Sequence, residues 1–143
     1  LYMGDSGAYL LSLFTGIYLI NFSAENFFIS PYLIILLLWY PSFELLFSMI
    51  RRSFKMVKTY KPDTYHLHQL IYNFFKIKFK LKNSLIIHFY TSFIINLYSF
   101  LIFLIAINYK YDSKFIISFI VFNMIMYVLT YKILKRNYKN RDF

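Results

Sequence analysis

The amino-acid sequence predicts an all-α membrane protein, with about four transmembrane helices and one long basic loop on the cytoplasmic side. Three observations carry this. Of 143 residues, 59% are hydrophobic and 24% aromatic. With a mean hydropathy of +0.52, this is more apolar surface than a water-soluble domain of such length can hide. Several apolar runs approach the roughly 17–25 residues needed to cross a hydrocarbon core of ~30 Å. The Lys and Arg residues are confined largely to two regions, which a four-span topology puts on one side of the membrane.

The spans fall at about residues 7–22, 27–50, 85–107 and 115–134, with a connecting loop at 51–84. The first is short unless residues before Asp5 extend it. No charged n-region and no small-residue cleavage site accompany this first run, so it does not read as a signal peptide. The chain begins at Leu1 and reads as the C-terminal part of a longer multi-pass protein. Pro31 lies in the first turn of the second span, where proline is tolerated. Pro41 lies in its interior, where it removes a backbone hydrogen bond and kinks the helix. Glu44 lies two turns before Arg51. An intramembrane carboxylate is a functional candidate by default, but Arg51 at i+7 shares its face, and a structural ion pair is the competing reading.

The loop holds Arg51, Arg52, Lys55, Lys58, Lys61, Lys76, Lys78, Lys80 and Lys82. Lys132, Lys135, Arg136, Lys139 and Arg141 close the last span and tail, whereas the opposite side has only Lys110 and Lys114. By the positive-inside rule the loop, the C-terminus and Asp5 are cytoplasmic. Most of these cations are explained by topology alone, so the net charge of +10 implies an anionic lipid surface and no nucleic acid. With no cysteine, disulfides and thiolate metal sites are excluded.

Within the loop, Pro62-Asp63 reads as a helix start with Asp63 as N-cap. Leu67, Leu70, Ile71, Phe74 and Phe75 follow as one apolar stripe, suited to a helix lying on the membrane surface. The run 76–82 alternates Lys with apolar residues and suits contact with anionic lipid.

Four residues stand out chemically. His66 and His68 are two apart, so on a regular helix they diverge; both reach one ligand only if the helix starts after them. Zinc is a weak reading without a third protein ligand nearby. A wet loop of two polar residues is the bland one. Phosphate or diphosphate binding is favoured by Arg51, Arg52 and Lys61 close in sequence. Asp5, between Gly4 and Gly7, can cap the first helix, or can take a Mg²⁺ already bound to a diphosphate. Topology puts Asp5 and the histidines on the same face. His88, one turn into the third span, reads equally as packed or functional.

These residues resemble a known family. Met3-Gly4-Asp5-Ser6-Gly7-Ala8 at the head of a span is similar to a signature of the polyprenyl-phosphate N-acetylhexosamine-1-phosphate transferases, glycosyltransferase family 4. Ile29-Ser30-Pro31, Tyr40-Pro41-Ser42-Phe43-Glu44 and Arg51-Arg52 resemble the following span of its GlcNAc-type branch, and Pro62-Asp63 with His66-Leu67-His68-Gln69 resembles its cytoplasmic histidine motif. The likeness covers residues 1 to 75, and the last two spans by arrangement only. It implies transfer of a sugar 1-phosphate from a UDP-sugar to undecaprenyl phosphate, a polyprenyl phosphate, with Mg²⁺ (or Mn²⁺) at the cytoplasmic face of the inner membrane, in cell-envelope polysaccharide synthesis. It assigns Asp5 to the metal and Asp5, His66 and His68 to catalysis. Gly4, Arg51, Arg52 and Asp63 fall to substrate binding. Gln69 stands where family members often carry a third histidine. The family's adjacent aspartate pair and later aspartate-rich motif have no counterpart here, so the resemblance implies part of an active site, completed by an upstream portion of the same enzyme. The alternative is a non-enzymatic membrane protein whose basic loop binds anionic lipid or a partner.

Overall fold

The computed structural model describes residues 4–54, 65–79 and 83–139, with side chains as far as residue 137 in the last segment. Among these residues every regular element is a helix: α1 Gly4–Glu25, α2 Tyr32–Leu37, α3 Trp39–Phe54, α4 Leu67–Lys78, α5 Ser84–Asn108 and α6 Ser113–Lys139. Three are long and apolar enough to cross a membrane: Gly4–Glu25, Ser84–Asn108 and Ser113–Asn137. Large side chains such as Phe14, Phe89, Phe93 and Phe122 face outward along them. Such exposure is untenable in water and natural in hydrocarbon. The chain is therefore a helical membrane protein.

The second expected span, 27–50, is not one helix. Residues 26–31 are not helical, and the run that follows breaks at Leu38 between α2 and α3. Pro41 is the cause: it has no N–H for the Leu37 carbonyl, and its ring crowds that same group. Around the break the ladder resumes through Leu38 N–H to Ile34 O (3.1 Å) and Ser42 N–H to Leu38 O (3.2 Å). The other spans are longer than expected. Gly4 and Asp5 fall inside the first turn of α1, and only Gly4 takes the left-handed backbone, φ 65°, that a residue with a Cβ rarely adopts.

The expected loop 51–84 also changes. Arg51 and Arg52 form part of the last turn of α3, and a 12-residue helix, α4, starts at Leu67. His66, not Asp63, occupies the N-cap position of α4; Asp63 and Pro62 lie outside the described residues. The expected stripe on α4 is present, with Leu67 and Leu70 buried and Ile71, Phe74 and Phe75 partly so. It packs on α5 and α6, so protein covers a face that the sequence assigned to the membrane surface.

The core gathers Leu33, Leu36 and Trp39 with Leu67, Leu70, Ile102, Ile116, Ile120, Tyr127 and Tyr131. On α6 the buried positions Ile116, Ile120, Asn123, Tyr127 and Tyr131 recur at helical spacing and form one stripe. Asn123 is satisfied within it: its Oδ1 accepts from Tyr98 Oη at 2.5 Å and its amide donates to Phe119 O at 2.7 Å.

Two sets of hydrogen bonds define the ends of this bundle. At one end, Ser30 N–H donates to Lys110 O (2.9 Å) and Ser113 Oγ to Ser30 Oγ (2.9 Å). At the other, Arg51 Nη1 donates to Tyr131 Oη (2.6 Å) and to the Tyr65 carbonyl (2.8 Å). The α2–α3 run thus reaches from the start of α6 to its last turns. Among the described cations, Arg51, Arg52, Lys132, Lys135 and Arg136 lie at the second end and Lys110 and Lys114 at the first.

Candidate functional site

Glu44 is the centre of the second end. It is 8% exposed, and its Oε1 accepts the Leu67 N–H at 2.9 Å while contacting His66 Nδ1 at 3.0 Å. Its Oε2 accepts from Tyr127 Oη at 2.7 Å. A buried carboxylate is stable only when such donors replace water. Here three elements supply them: the start of α4, the extended residue before it, and α6. Leu67 is the first residue of α4, so Glu44 caps that helix from another element and places negative charge at its positive end. The anticipated Glu44–Arg51 pair is replaced by this arrangement. The Arg51 guanidinium is occupied by Tyr65 O, Tyr131 Oη and Ser48 Oγ (3.3 Å), and stacks over the Tyr131 ring at 5.4 Å.

The two histidines are brought together. His66 is extended, φ −73° and ψ 150°, and the helix begins immediately after it. The rings therefore do not diverge: they stack with centroids 5.5 Å apart and planes at 12°. Each also lines a different cleft. His66 joins Arg52, Ser48 and Ser53 around a cleft of about 750 Å³ on the α3 side. His68 joins Tyr72, Asn73, His88 and Tyr40 around one of about 560 Å³ between α4 and α5. His88 belongs to the functional end too, its ring 4.5 Å from that of Tyr72. Loss of water around the His68 ring lowers its pKa below the ordinary 6.5, helped by the His66 ring and opposed by the Glu44 charge.

A carboxylate oxygen only accepts, so opposite an ionised Glu44 the His66 Nδ1 acts as the donor of this pair. Gln69, in the place of a third imidazole, accepts from the His66 N–H at 3.4 Å, a long bond that ties it to the start of α4.

Asp5 stands apart. It is exposed, and no residue of α1 is buried. Among the described residues no group of three or more His, Asp or Glu gathers to hold a metal ion. Asp5 offers one carboxylate, which fits a Mg²⁺ that takes its other ligands from a bound diphosphate and water, and does not fit a site built from protein alone. Gly4 supports the turn beside it. Asp63, assigned to the substrate, lies outside the described residues.

Tyr127, Tyr131 and Ser48 were not singled out by sequence, and Tyr40 entered only as part of the span that carries the resemblance. The available signal was the α6 stripe, where two tyrosines four residues apart share the buried face of a span. No family model matches the chain, and no match was found among curated proteins or solved structures.

Proposed function

We propose that this chain supplies the histidine-bearing part of the cytoplasmic catalytic face of a phospho-N-acetylhexosamine transferase. The α2–α3 run makes the fourth crossing, and the end carrying Arg51 and Lys135 faces the cytoplasm of the inner membrane. The observation that carries the reading is the Glu44–His66 contact beside the Arg52-lined cleft. A histidine oriented by a buried carboxylate, next to guanidinium, is suited to a phosphate ligand.

In the proposed reaction an oxygen of polyprenyl phosphate forms a bond to the sugar-bearing phosphorus of a UDP-sugar, most simply UDP-GlcNAc. The bond from that phosphorus to the bridging oxygen breaks, and UMP leaves. Arg52 and the imidazoles hold and neutralise the diphosphate oxygens, while Arg51 holds the Tyr65 carbonyl and so the segment that precedes His66. His66 takes or gives a proton at Nε2. Asp5 would hold a Mg²⁺, which when bound neutralises charge on the diphosphate. The remaining carboxylates that the family uses come, in this reading, from the upstream portion of the same enzyme.

The test uses radiolabelled UDP-GlcNAc, Mg²⁺ and undecaprenyl phosphate. The full-length enzyme should form a radiolabelled lipid, and Asp5→Asn or His66→Ala should abolish it. The 143 residues alone should form none. Turnover by the isolated chain would overturn the partial-site reading. Unchanged activity in both variants would overturn the assignment of the site and favour a basic loop that only binds anionic lipid.

A further inference from the structure

His66 is gripped from α3 on both sides of its own backbone. The Tyr65 carbonyl before it accepts from Arg51 Nη1 at 2.8 Å. The Leu67 N–H after it donates to Glu44 Oε1 at 2.9 Å, and the His66 Nδ1 meets that same oxygen at 3.0 Å. Glu44 and Arg51 are two turns apart, so both grips come from one face of α3.

Neither side chain sets its own orientation. The terminal torsion of a glutamate is broad, so a carboxylate left alone can offer either oxygen. A guanidinium has five donors to distribute. A tyrosine of α6 takes up this freedom in each case. Tyr127 Oη donates to Glu44 Oε2 at 2.7 Å, and Tyr131 Oη accepts from Arg51 Nη1 at 2.6 Å. The two tyrosines are four residues apart and share a helix face. Both are buried. Three rings of α3 contacts hold them from the side: Phe43 and Phe47 stand edge-on to Tyr127 at 5.0 and 5.3 Å, and Phe47 stands edge-on to Tyr131 at 4.8 Å. The Tyr127 hydroxyl is therefore a fixed point. With Oε2 tied to it, Oε1 is left facing the start of α4, where it meets the Leu67 N–H and the His66 ring together.

We infer that Tyr127 is a positioning residue for His66, acting through Glu44 from the last span, and that Tyr131 does the same for the Tyr65 carbonyl through Arg51. The family resemblance of residues 1 to 75 assigns no role to α6, so this adds the last helix to the site. The positioning stands on the distances alone. That the positioned imidazole serves sugar-phosphate transfer rests on the reading proposed above.

Two readouts keep the two apart. The first needs no substrate. The chain is labelled with ¹⁵N-histidine in zwitterionic nanodiscs, His66→Gln identifies the His66 signal among the three histidines, and solvent exchange of the Nδ1 proton is followed by NMR. Tyr127→Phe should speed that exchange roughly tenfold with unchanged helicity. Placing 4-aminophenylalanine at position 127 returns an N–H donor and should restore the slow exchange. If Tyr127→Phe does not fold, 4-methylphenylalanine, which fills the hydroxyl's space without a donor, takes its place. The second readout is the radiolabelled transfer assay on the full-length enzyme. There Tyr127→Phe should lower kcat roughly tenfold or more and leave the KM for UDP-GlcNAc unchanged. Unchanged exchange in a folded variant would overturn the inference. So would exchange as fast with 4-aminophenylalanine as with phenylalanine. Faster exchange with unchanged kcat would uphold the positioning and overturn the catalytic role of His66.

Discussion

Replacing Glu44 tests the centre of the molecule most directly. Glu44→Ala removes the acceptor of the Leu67 N–H, the Tyr127 hydroxyl and His66 Nδ1. A buried donor left without a partner costs about 1–3 kcal/mol. His66 is 23% exposed at its side chain and regains water, so two donors carry the loss, about 4 kcal/mol together. Glu44→Gln keeps one oxygen for the Leu67 N–H and turns its amide to the Tyr127 oxygen, which can accept; the expected loss is about 1 kcal/mol. At roughly 3 °C per kcal/mol, the alanine variant should melt about 12 °C lower and the glutamine variant about 3 °C lower. Trp39 stands edge-on to the Tyr127 ring at 6.4 Å and stacks on Phe43 at 6.2 Å, so its fluorescence in a thermal ramp reports this packing. An alanine variant within about 3 °C of the parent would refute the account of Glu44 as the shared acceptor. A glutamine variant as damaged as alanine would show that charge, not hydrogen-bond geometry, is what the site requires.

Three further outcomes are expected. His68 binds its proton less readily folded than unfolded, so its contribution to stability is present above about pH 6.5 and is lost as pH falls below that value. Melting temperature followed from pH 8 to about pH 5 should fall less steeply in His68→Gln than in the parent, and an identical slope would contradict the assignment. Asp112 Oδ1 accepts the N–H groups of Lys114 and Phe115, both at 3.0 Å, so Asp112→Ala should cost about 1 kcal/mol in denaturant unfolding. Pro41→Ala restores a donor to the Leu37 carbonyl and should stabilise the bundle by up to about 3 kcal/mol. Denaturant unfolding checks this, and an unchanged midpoint would contradict the account of the break at Leu38.

The parts legible in the sequence were those with a local cause. The runs that became α5 and α6 need only uninterrupted apolar composition, and the α4 stripe needs only its periodicity. The conditional reading of the histidines also proved informative. They share a position because the helix starts after His66, a choice made by Glu44 from 22 residues away in sequence. That choice is not local, and an i+7 rule on one helix finds Arg51 as Glu44's partner because it sees no other helix. Tyr127 and Tyr131 were hidden by composition. In a chain with 15 tyrosines and 18 phenylalanines, two more aromatic residues in a span carry no visible instruction until a buried carboxylate and a guanidinium meet them. The kink at Pro41 was legible; that it would end a helix at Leu37 and part α3 from α5 depends on the packing of α2.

The bonds from Ser30 to Lys110 and Ser113 tie together two connections at the end remote from Glu44. Glu44 and Arg51 hold the far end of the same run to Tyr127 and Tyr131 of α6. The α2–α3 run is thus fastened to α6 at both ends, like a strap buckled twice, with the break at Leu38 lying between the two fastenings.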